Sequence, residues 1–462
     1  MQEEPLIMVK DGFFTGLDIG TSSVKVLVAE YIDGQMNIIG VGNTKSDGIK
    51  NGVIVDIEKT VESIKKAVRQ AEEKAGVQVT NVNVGLPANL LSVEGCQGLL
   101  AVGADNQEIT DTDVQAVIKS ALVRAVPPER EIITVLPEEF VVDGFANISD
   151  PRGMIGIRLE MRGQMFTGPK TVIHNIKSTV RKAGLNIDQL VLTPLSLTES
   201  ILTDGEKDFG TIVIDMGGGQ TSIAIMFDHQ VRYTSVVQEG GEFVTKDISV
   251  VLNTSIKNAE GLKINYGEAY PDHASETEEF PVDVIGQNAP VKVNERYLSE
   301  IIEARLSQIF DKVQKELDKI DAFNLPGGVI LTGGAATLPG LVDLAIDRLG
   351  VNVRLYVPNQ MGLRNPVFTN VISIVEYVAL QSEINWISYN AVIGNQTAIS
   401  NRPEPVVTKE PVYDDVDYSD DYADNYDYPD DTVDNDRAQD GLKEKGASLV
   451  DRAKGFFNNI FD

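Results

Sequence analysis

The chain has 462 residues, 42 % of them hydrophobic, and a net charge of −29, which is enough apolar material for about two to four domains. The negative balance excludes a nucleic-acid-binding role, because phosphate recognition needs clustered cations. A single cysteine, Cys96, excludes an intramolecular disulfide and a cysteine-based zinc site, and the scattered His174, His229 and His273 form no metal constellation. A reducing cytoplasm is the expected compartment. The first residues, MQEEPLIMVK, lack the apolar core and cleavage site of a secretory signal, and no apolar run reaches the length of about eighteen residues needed to span a membrane.

In chain order, FFTGLDIG (13–20) reads as a strand ending in glycine, and SSVKVLVAEYIDGQMNIIGVG (22–42) as two further strands turning at Asp33-Gly34. IEKTVESIKKAVRQAEEKAG (57–76) places Ile57, Val61, Ile64 and Val68 on one helical face and closes at Gly76. NVNVGLP (81–87) is a buried strand. From about 86 to 168 the pattern changes. DTDVQAVIKSALVRA (111–125) is a helix opened by Thr110 or Asp111 and stopped by Pro127-Pro128, flanked by strands in EIITVLPEEFVVDG (131–144) and GMIGIRLEMRGQMFTG (153–168). This reads as a small inserted module. KTVIHNIKSTVRKAGLNIDQLVL (170–192) resumes helix and strand.

GTIVIDMGGGQTSIAIMFDHQVRYTSVV (210–237) then repeats the strand, glycine and hairpin pattern of the amino terminus, so two like domains facing each other are expected. A long amphipathic helix, NERYLSEIIEARLSQIFDKVQKELDKI (294–320), precedes the strand-and-glycine segment VILTGGAATLPGL (329–341). Order is expected to fail from Gly394. Between Glu404 and Asp440 fourteen acids face only Lys409 and Arg437, a composition too polar to offset chain entropy by burial.

Chemistry concentrates at the glycines. In GLDIGTSSVK (16–25), Gly20, Thr21 and Ser22 would turn backbone N–H groups and hydroxyls toward one point, a nest for phosphate oxygens. Asp18 sits where its carboxylate can meet a phosphate-bound Mg2+ through water. IDMGGGQTS (214–222) offers the same chemistry from the second copy, with Asp215, Gly217, Gly218, Gly219, Gln220 and Thr221. Neither segment carries the Gly-Lys-Ser/Thr ending of a Walker loop. Gly333 and Gly334 leave room for a flat ring, and Glu260 and Lys263, three apart on one helix face, are either a surface ion pair or a ribose contact.

The ordered set GLDIGTSSVK, LTPLSLTES, IDMGGGQTS, VILTGGAATLPGL and NPVFTNVISIVEYV resembles the five-part nucleotide signature of the actin, sugar-kinase and heat-shock-chaperone ATPase superfamily. Over residues 10–394 the chain resembles the FtsA family of bacterial cell-division proteins, through NVNVGLP, VLPEEFVVDG, VILTGGAATLPGL and the early inserted module. The resemblance implies an α/β, actin-like (ribonuclease-H-like, duplicated) two-domain ATPase fold with an inserted 1C subdomain, a disordered acidic linker and a carboxy-terminal amphipathic helix. It divides the chain into domain 1A (10–85, 169–209 and 365–394), subdomain 1C (86–168), domain 2A (210–250 and 326–364), subdomain 2B (251–325), linker (395–441) and terminal helix (442–462).

The implied ligands are ATP and Mg2+. Around the nucleotide the resemblance places Gly20, Thr21, Ser22, Lys25, Gly217, Gly218, Gly219, Gln220, Thr221, Gly241, Glu260, Lys263, Gly333, Gly334 and Ala335, with Asp18 and Asp215 on the metal through water. Implied partners are other copies in a filament, the C-terminal tail of FtsZ at 2B, further division proteins at 1C, and anionic lipid. The implied location is the cytoplasmic face of the membrane at the division site.

Two departures concern hydrolysis. Gln220 stands where the superfamily commonly has threonine, and LTPLSLTES holds no carboxylate before Glu199. No general base is therefore assigned, and slow or absent hydrolysis is expected.

The closing GASLVDRAKGFFNNIFD sets Leu449, Ala453, Phe456 and Ile460 on one helical line, with Val450, Phe457 and Phe461 beside it and Arg452 and Lys454 around it. Each phenylalanine contributes about 1.5–3 kcal/mol if fully buried. Such a helix docks on protein or on anionic lipid; the resemblance implies lipid. Competing readings are a sugar or polyol kinase, a pilus-assembly-type ATPase and a chaperone-like ATPase. The last needs a folded domain after residue 394, which the composition opposes.

Overall fold

The structure, a computed structural model, describes residues 11–400 apart from 89–90, 104–107 and 124–125. The acidic segment and the amphipathic residues Leu449, Val450, Arg452, Lys454, Phe456, Phe457, Ile460 and Phe461 lie outside the described residues.

The first lobe is a five-stranded sheet in the order Asn186–Leu192, Asn81–Leu86, Gly12–Ile19, Ser23–Ile32, Gln35–Lys45. The last three form an antiparallel meander and the first two join it in parallel. Asp33 and Gly34, both with positive φ (49° and 78°), make the two-residue turn whose twist matches the strands. The helix Ile57–Ala75 starts where Asp56 accepts the Lys59 N–H and ends at left-handed Gly76. It buries Val61, Ile64 and Val68 on the sheet. Gly42 permits that approach, since a Cβ there would lie 1.8 Å from the Ala67 carbonyl oxygen.

The second lobe repeats this plan. Its sheet runs Gln230–Val237, Thr221–Phe227, Thr211–Met216, Val329–Thr332, Val353–Leu355, again three antiparallel strands followed by two parallel ones. The duplication expected from the glycine pattern is present as two matching sheets. The helix Glu295–Asp318, capped by Asn294 accepting the Tyr297 N–H at 2.8 Å, packs Leu298, Ile302, Leu306 and Phe310 into the core of this lobe with Ile223 and Ile225.

Between Leu86 and Lys170 stands a four-stranded antiparallel sheet, ordered Ser92–Ala101, Arg158–Pro169, Arg130–Val142, Phe145–Ile148, with the helix Asp111–Ala121 against it. Thr110 and Asp113 cap that helix reciprocally. It ends at Ala121, ahead of the proline pair expected to stop it. Val114, Val117 and Ile118 pack with Phe140, Leu159 and Met161. That core is completed from far along the chain: Ile384, Ile387, Ala391 and Val392 of the helix Glu383–Ser400 belong to it. The same helix reaches the first lobe, where the Tyr389 hydroxyl accepts the Leu190 N–H at 3.0 Å.

This helix runs past Gly394 to Ser400. No glycine or proline follows Gly394 until Pro403, so nothing in the chain breaks the turn sooner. The chain divides into two units at Asn395, and the second adds only the end of this helix to the described residues. No helix of the described residues is long and apolar enough to cross a membrane.

The chain passes from the first lobe to the second after the helix Thr193–Ile201 and returns through the segment before the helix Thr369–Ala379. The returning helix lies on the first sheet, burying Val371, Ile372 and Val375 with Leu27, Ala29 and Tyr31. Gly16 is bare because a Cβ there would be 2.8 Å from Val375 Cγ2 and 3.0 Å from the Val371 carbonyl.

Candidate functional site: a cleft floored by two glycine turns

In the first hairpin the strands pair so that Asp18 lies opposite Lys25. The turn closes with the Gly20 N–H donating to the Ser23 carbonyl at 3.1 Å. Lys25 Nζ lies 3.1 Å from Asp18 Oδ2, with their side chains 7 % and 13 % exposed, so each charge has its counterpart at hand. Thr21 Oγ1 accepts the Gly52 N–H at 3.0 Å.

The second hairpin has the same closure, Gly217 N–H to the Gln220 carbonyl at 2.9 Å, but different neighbours. Asp215 is buried, has no salt-bridged cation among the described residues, and accepts from Asn370 Nδ2 at 3.0 Å. Burial pushes its carboxyl up; the Asp18 charge adds to that, while the Asn370 bond and Lys25 pull the other way. Gly333, at φ 96°, is bare because a Cβ would lie 2.3 Å from Asp215 Oδ1. The N–H groups of Gly241 and Glu242 donate to the Gly217 and Gly218 carbonyls at 3.0 and 2.8 Å, seating a helix start against the turn.

The two turns meet. Ser22 Oγ donates to Glu242 Oε1 at 2.9 Å across the lobes. A Cβ on Gly218 would lie 1.8 Å from Ser22 Oγ, and one on Gly219 would lie 2.7 Å from Thr21 Cγ2. Above them opens a cleft of about 1020 Å³, at the upper end of ordinary ligand sites.

Asp18, Gly20, Thr21, Ser22, Lys25, Asp215, Gly217, Gly218, Gly219, Gln220, Gly241, Glu260, Lys263, Gly333, Gly334 and Ala335 all line it. Thr221 does not. It opens a strand, where side chains alternate sides, so Ser222 faces the cleft while Thr221 is fully buried, donating to the Glu239 carbonyl at 2.9 Å. Glu260 and Lys263 are both an ion pair, at 2.7 Å, and part of the wall; Lys263 Nζ also donates to Thr245 Oγ1 and the Gly241 carbonyl.

Sequence reasoning missed Asn370, Glu242 and the cations Lys45, Lys246 and Lys257, which also line the cleft. Asn370 carried a signal, as a polar residue opening the apolar run NVISIVEYV. The cations carried none, since they lie among many surface lysines. Glu199, the only carboxylate of the LTPLSLTES connector, is held by Lys207 at 2.7 Å and is absent from the cleft wall.

Comparison with known proteins agrees with this architecture. The family description "Cell division protein FtsA" matches residues 212–373, and "SHS2 domain inserted in FTSA" matches residues 89–167. The chain is 62 % identical over 457 residues to the cell division protein FtsA of Enterococcus hirae, covering 98 % of this chain and 100 % of that one. It is 54 % identical to FtsA of Streptococcus pneumoniae serotype 2 (86 % of each chain) and 42 % identical to FtsA of Bacillus subtilis (82 % of this chain, 86 % of that one). Among solved structures, the PilM–PilN type IV pilus biogenesis complex shares the fold, with a TM-score of 0.57 at 15 % identity over 81 % of this chain and 100 % of that one. The fold is actin-like. At such identity over nearly its whole length, the chain belongs to the FtsA family of cell-division proteins.

Proposed function

We propose that the cleft binds ATP with Mg2+, and that the protein acts in division as a nucleotide-controlled, self-assembling adaptor at the cytoplasmic face of the membrane, joining FtsZ to it. The observation that carries the nucleotide reading is the meeting of two duplicated turns, each with an aspartate two positions before its first glycine.

The residues fit the ligand. Gly218 and Gly219 bring backbone N–H groups to the cleft wall with no side chain of their own, the arrangement a phosphate chain needs. Asp18 and Asp215 offer hard oxygen donors suited to a hydrated Mg2+. Bound Mg2+ supplies neutralisation of phosphate charge. Gly333, Gly334 and Ala335 are the small residues of the wall against which a base would lie, and the Glu260–Lys263 pair on the same wall is the candidate ribose contact. With Glu199 engaged by Lys207 there is no candidate base in the connector, so binding with slow turnover is the expected behaviour.

The adaptor half of the reading rests on family membership and on the tail. Leu449, Phe456, Phe457, Ile460 and Phe461 are spaced in the sequence for one apolar helical face, with Arg452 and Lys454 between them, the pattern of an interfacial anchor. The acidic segment before it acts as a tether repelled by anionic lipid. FtsZ docking on 250–325, further division proteins at 86–168 and filament formation follow from the family.

Two measurements test this. Calorimetric titration with MgATP should show saturable binding that is lost in Asp215→Ala; no heat from the unsubstituted chain sinks the nucleotide reading. Flotation with anionic vesicles should retain the full chain and release one ending at Gly441. Equal flotation of both would make the last helix a protein-docking element.

A further inference from the structure

The returning helix Thr369–Ala379 carries two polar contacts of different kinds. Near its start, Asn370 donates to Asp215 in the cleft, and Thr369 Oγ1 accepts from Thr332 Oγ1 at 2.8 Å, so this end is fixed to the second lobe. Six residues on, about 9 Å along the axis, stands Glu376. It is half-buried and takes no part in the cleft.

Its two oxygens serve two different chain segments. Oε2 accepts from the Ser200 hydroxyl, at the end of the outgoing helix Thr193–Ile201. Oε1 accepts from Gln360 Nε2 at 3.0 Å, in the returning segment after strand Val353–Leu355. These are the outgoing and the returning passage between the lobes. One carboxylate therefore ties both together on the helix that also touches the cleft.

Both partners are neutral. The other titratable groups facing it are phenols, Tyr31 from strand Ser23–Ile32 and Tyr356 from the returning segment, each pushed up first by burial and then by the Glu376 charge. Burial raises the Glu376 carboxyl itself, with the Ser200 and Gln360 bonds opposing. A partly buried carboxylate that meets only neutral donors among the described residues costs free energy that an apolar side chain would not, so packing gives no reason for it.

We propose that Glu376 is a positioning residue, a latch whose two hydrogen bonds hold the outgoing and returning passages on one helix and so keep the lobes in the clasped arrangement in which Ser22 meets Glu242 and Asn370 meets Asp215. This goes beyond the nucleotide reading and does not depend on it, because the latch acts on the nucleotide-free chain.

The test is the distance between lobes in the full-length, nucleotide-free protein. Nitroxides at exposed Glu73→Cys and Val250→Cys, one per lobe, report it by double electron–electron resonance, with buried Cys96 left unlabelled. The latch predicts one narrow distribution for the otherwise unsubstituted chain. Glu376→Ala should broaden it, and Ser200→Ala combined with Glu376→Ala should broaden it no further, since both remove one device. Glu376→Gln, which keeps an acceptor oxygen, should restore most of the narrow population. A Glu376→Ala chain with a lower melting temperature and an unchanged narrow distribution would make the residue merely structural and overturn the proposal. If that variant does not fold, Ser200→Ala and Gln360→Ala carry the same decision: unchanged distributions in both overturn it.

Discussion

The two glycine turns descend from one pattern yet solve the same electrostatic problem differently. In the first lobe Asp18 is held by a cation directly across the hairpin, and the turn bears side chains, Thr21 and Ser22. In the second, Asp215 is held by a neutral amide reaching from a helix 155 residues further on, and the turn is three bare glycines. The difference is complementary. Side chains on one turn occupy the space that missing side chains leave on the other, so the lobes close without a gap at the cleft floor. The first carboxylate has its countercharge within its own lobe, whereas the second accepts from a neutral amide and burial pushes it up.

Breaking the first arrangement should have the largest effect. Lys25→Met leaves Asp18 nearly buried without its countercharge, and thermal or denaturant unfolding should show a loss of about 3–5 kcal/mol. Asp18→Asn in the same chain should recover much of it. A full-sized loss in the double variant would mean that Lys25 acts by packing alone.

Next is the fit between turns. Gly218→Val places a branched side chain where Ser22 Oγ lies. MgATP affinity should drop roughly 100-fold, about 2.7 kcal/mol, and Ser22→Gly should recover part of it. No recovery would show that the turns do not act as matched surfaces.

Asn370→Ala probes the neutral solution of the second lobe. It removes one donor to a buried carboxylate rather than a countercharge, so unfolding at neutral pH should show a loss of about 2 kcal/mol, less than Lys25→Met. A loss equal to or above that of Lys25→Met would reverse the ranking of the two devices.

The smallest effect sharpens the comparison at the edge of the second lobe. Glu206 lies beside the Arg354 guanidinium at 2.8 Å and accepts the Thr203 N–H at 2.9 Å. Burial alone would raise its carboxyl; the Thr203 and Arg354 bonds outweigh it and hold it below its ordinary value. A depressed carboxyl contributes stability that is present above the ordinary carboxylate range and lost as pH falls through the folded value. Glu206→Gln should therefore lower the melting temperature slightly at pH 7 and converge with the parent in acid. A constant difference at all pH values would remove the charge from the explanation.

What could be read from the sequence was local. The turns of both hairpins, the caps at Asp56, Gly76 and Asn294, and the two-residue turn at Asp33-Gly34 follow from residue types a few positions apart. Strand alternation would also have turned Thr221 away, had it been applied one residue further. The cross-lobe bond of Ser22 to Glu242 spans 220 residues, and nothing in either segment announces it. Asn370 was visible as an oddity in an apolar helix, but its partner was not. The ion pair of Asp18 and Lys25 was within reach, because hairpin register sets them face to face.

The helix Glu383–Ser400 has a consequence for how the protein is made. The inserted module is synthesised early, yet Ile384, Ile387, Ala391 and Val392 reach its core only after more than two hundred further residues have left the ribosome. Until then the nascent module carries an open apolar face on a sheet whose other strands are already available to pair. Its final consolidation waits for the end of the folded chain, so this module, though early in sequence, is among the last parts of the molecule to be sealed.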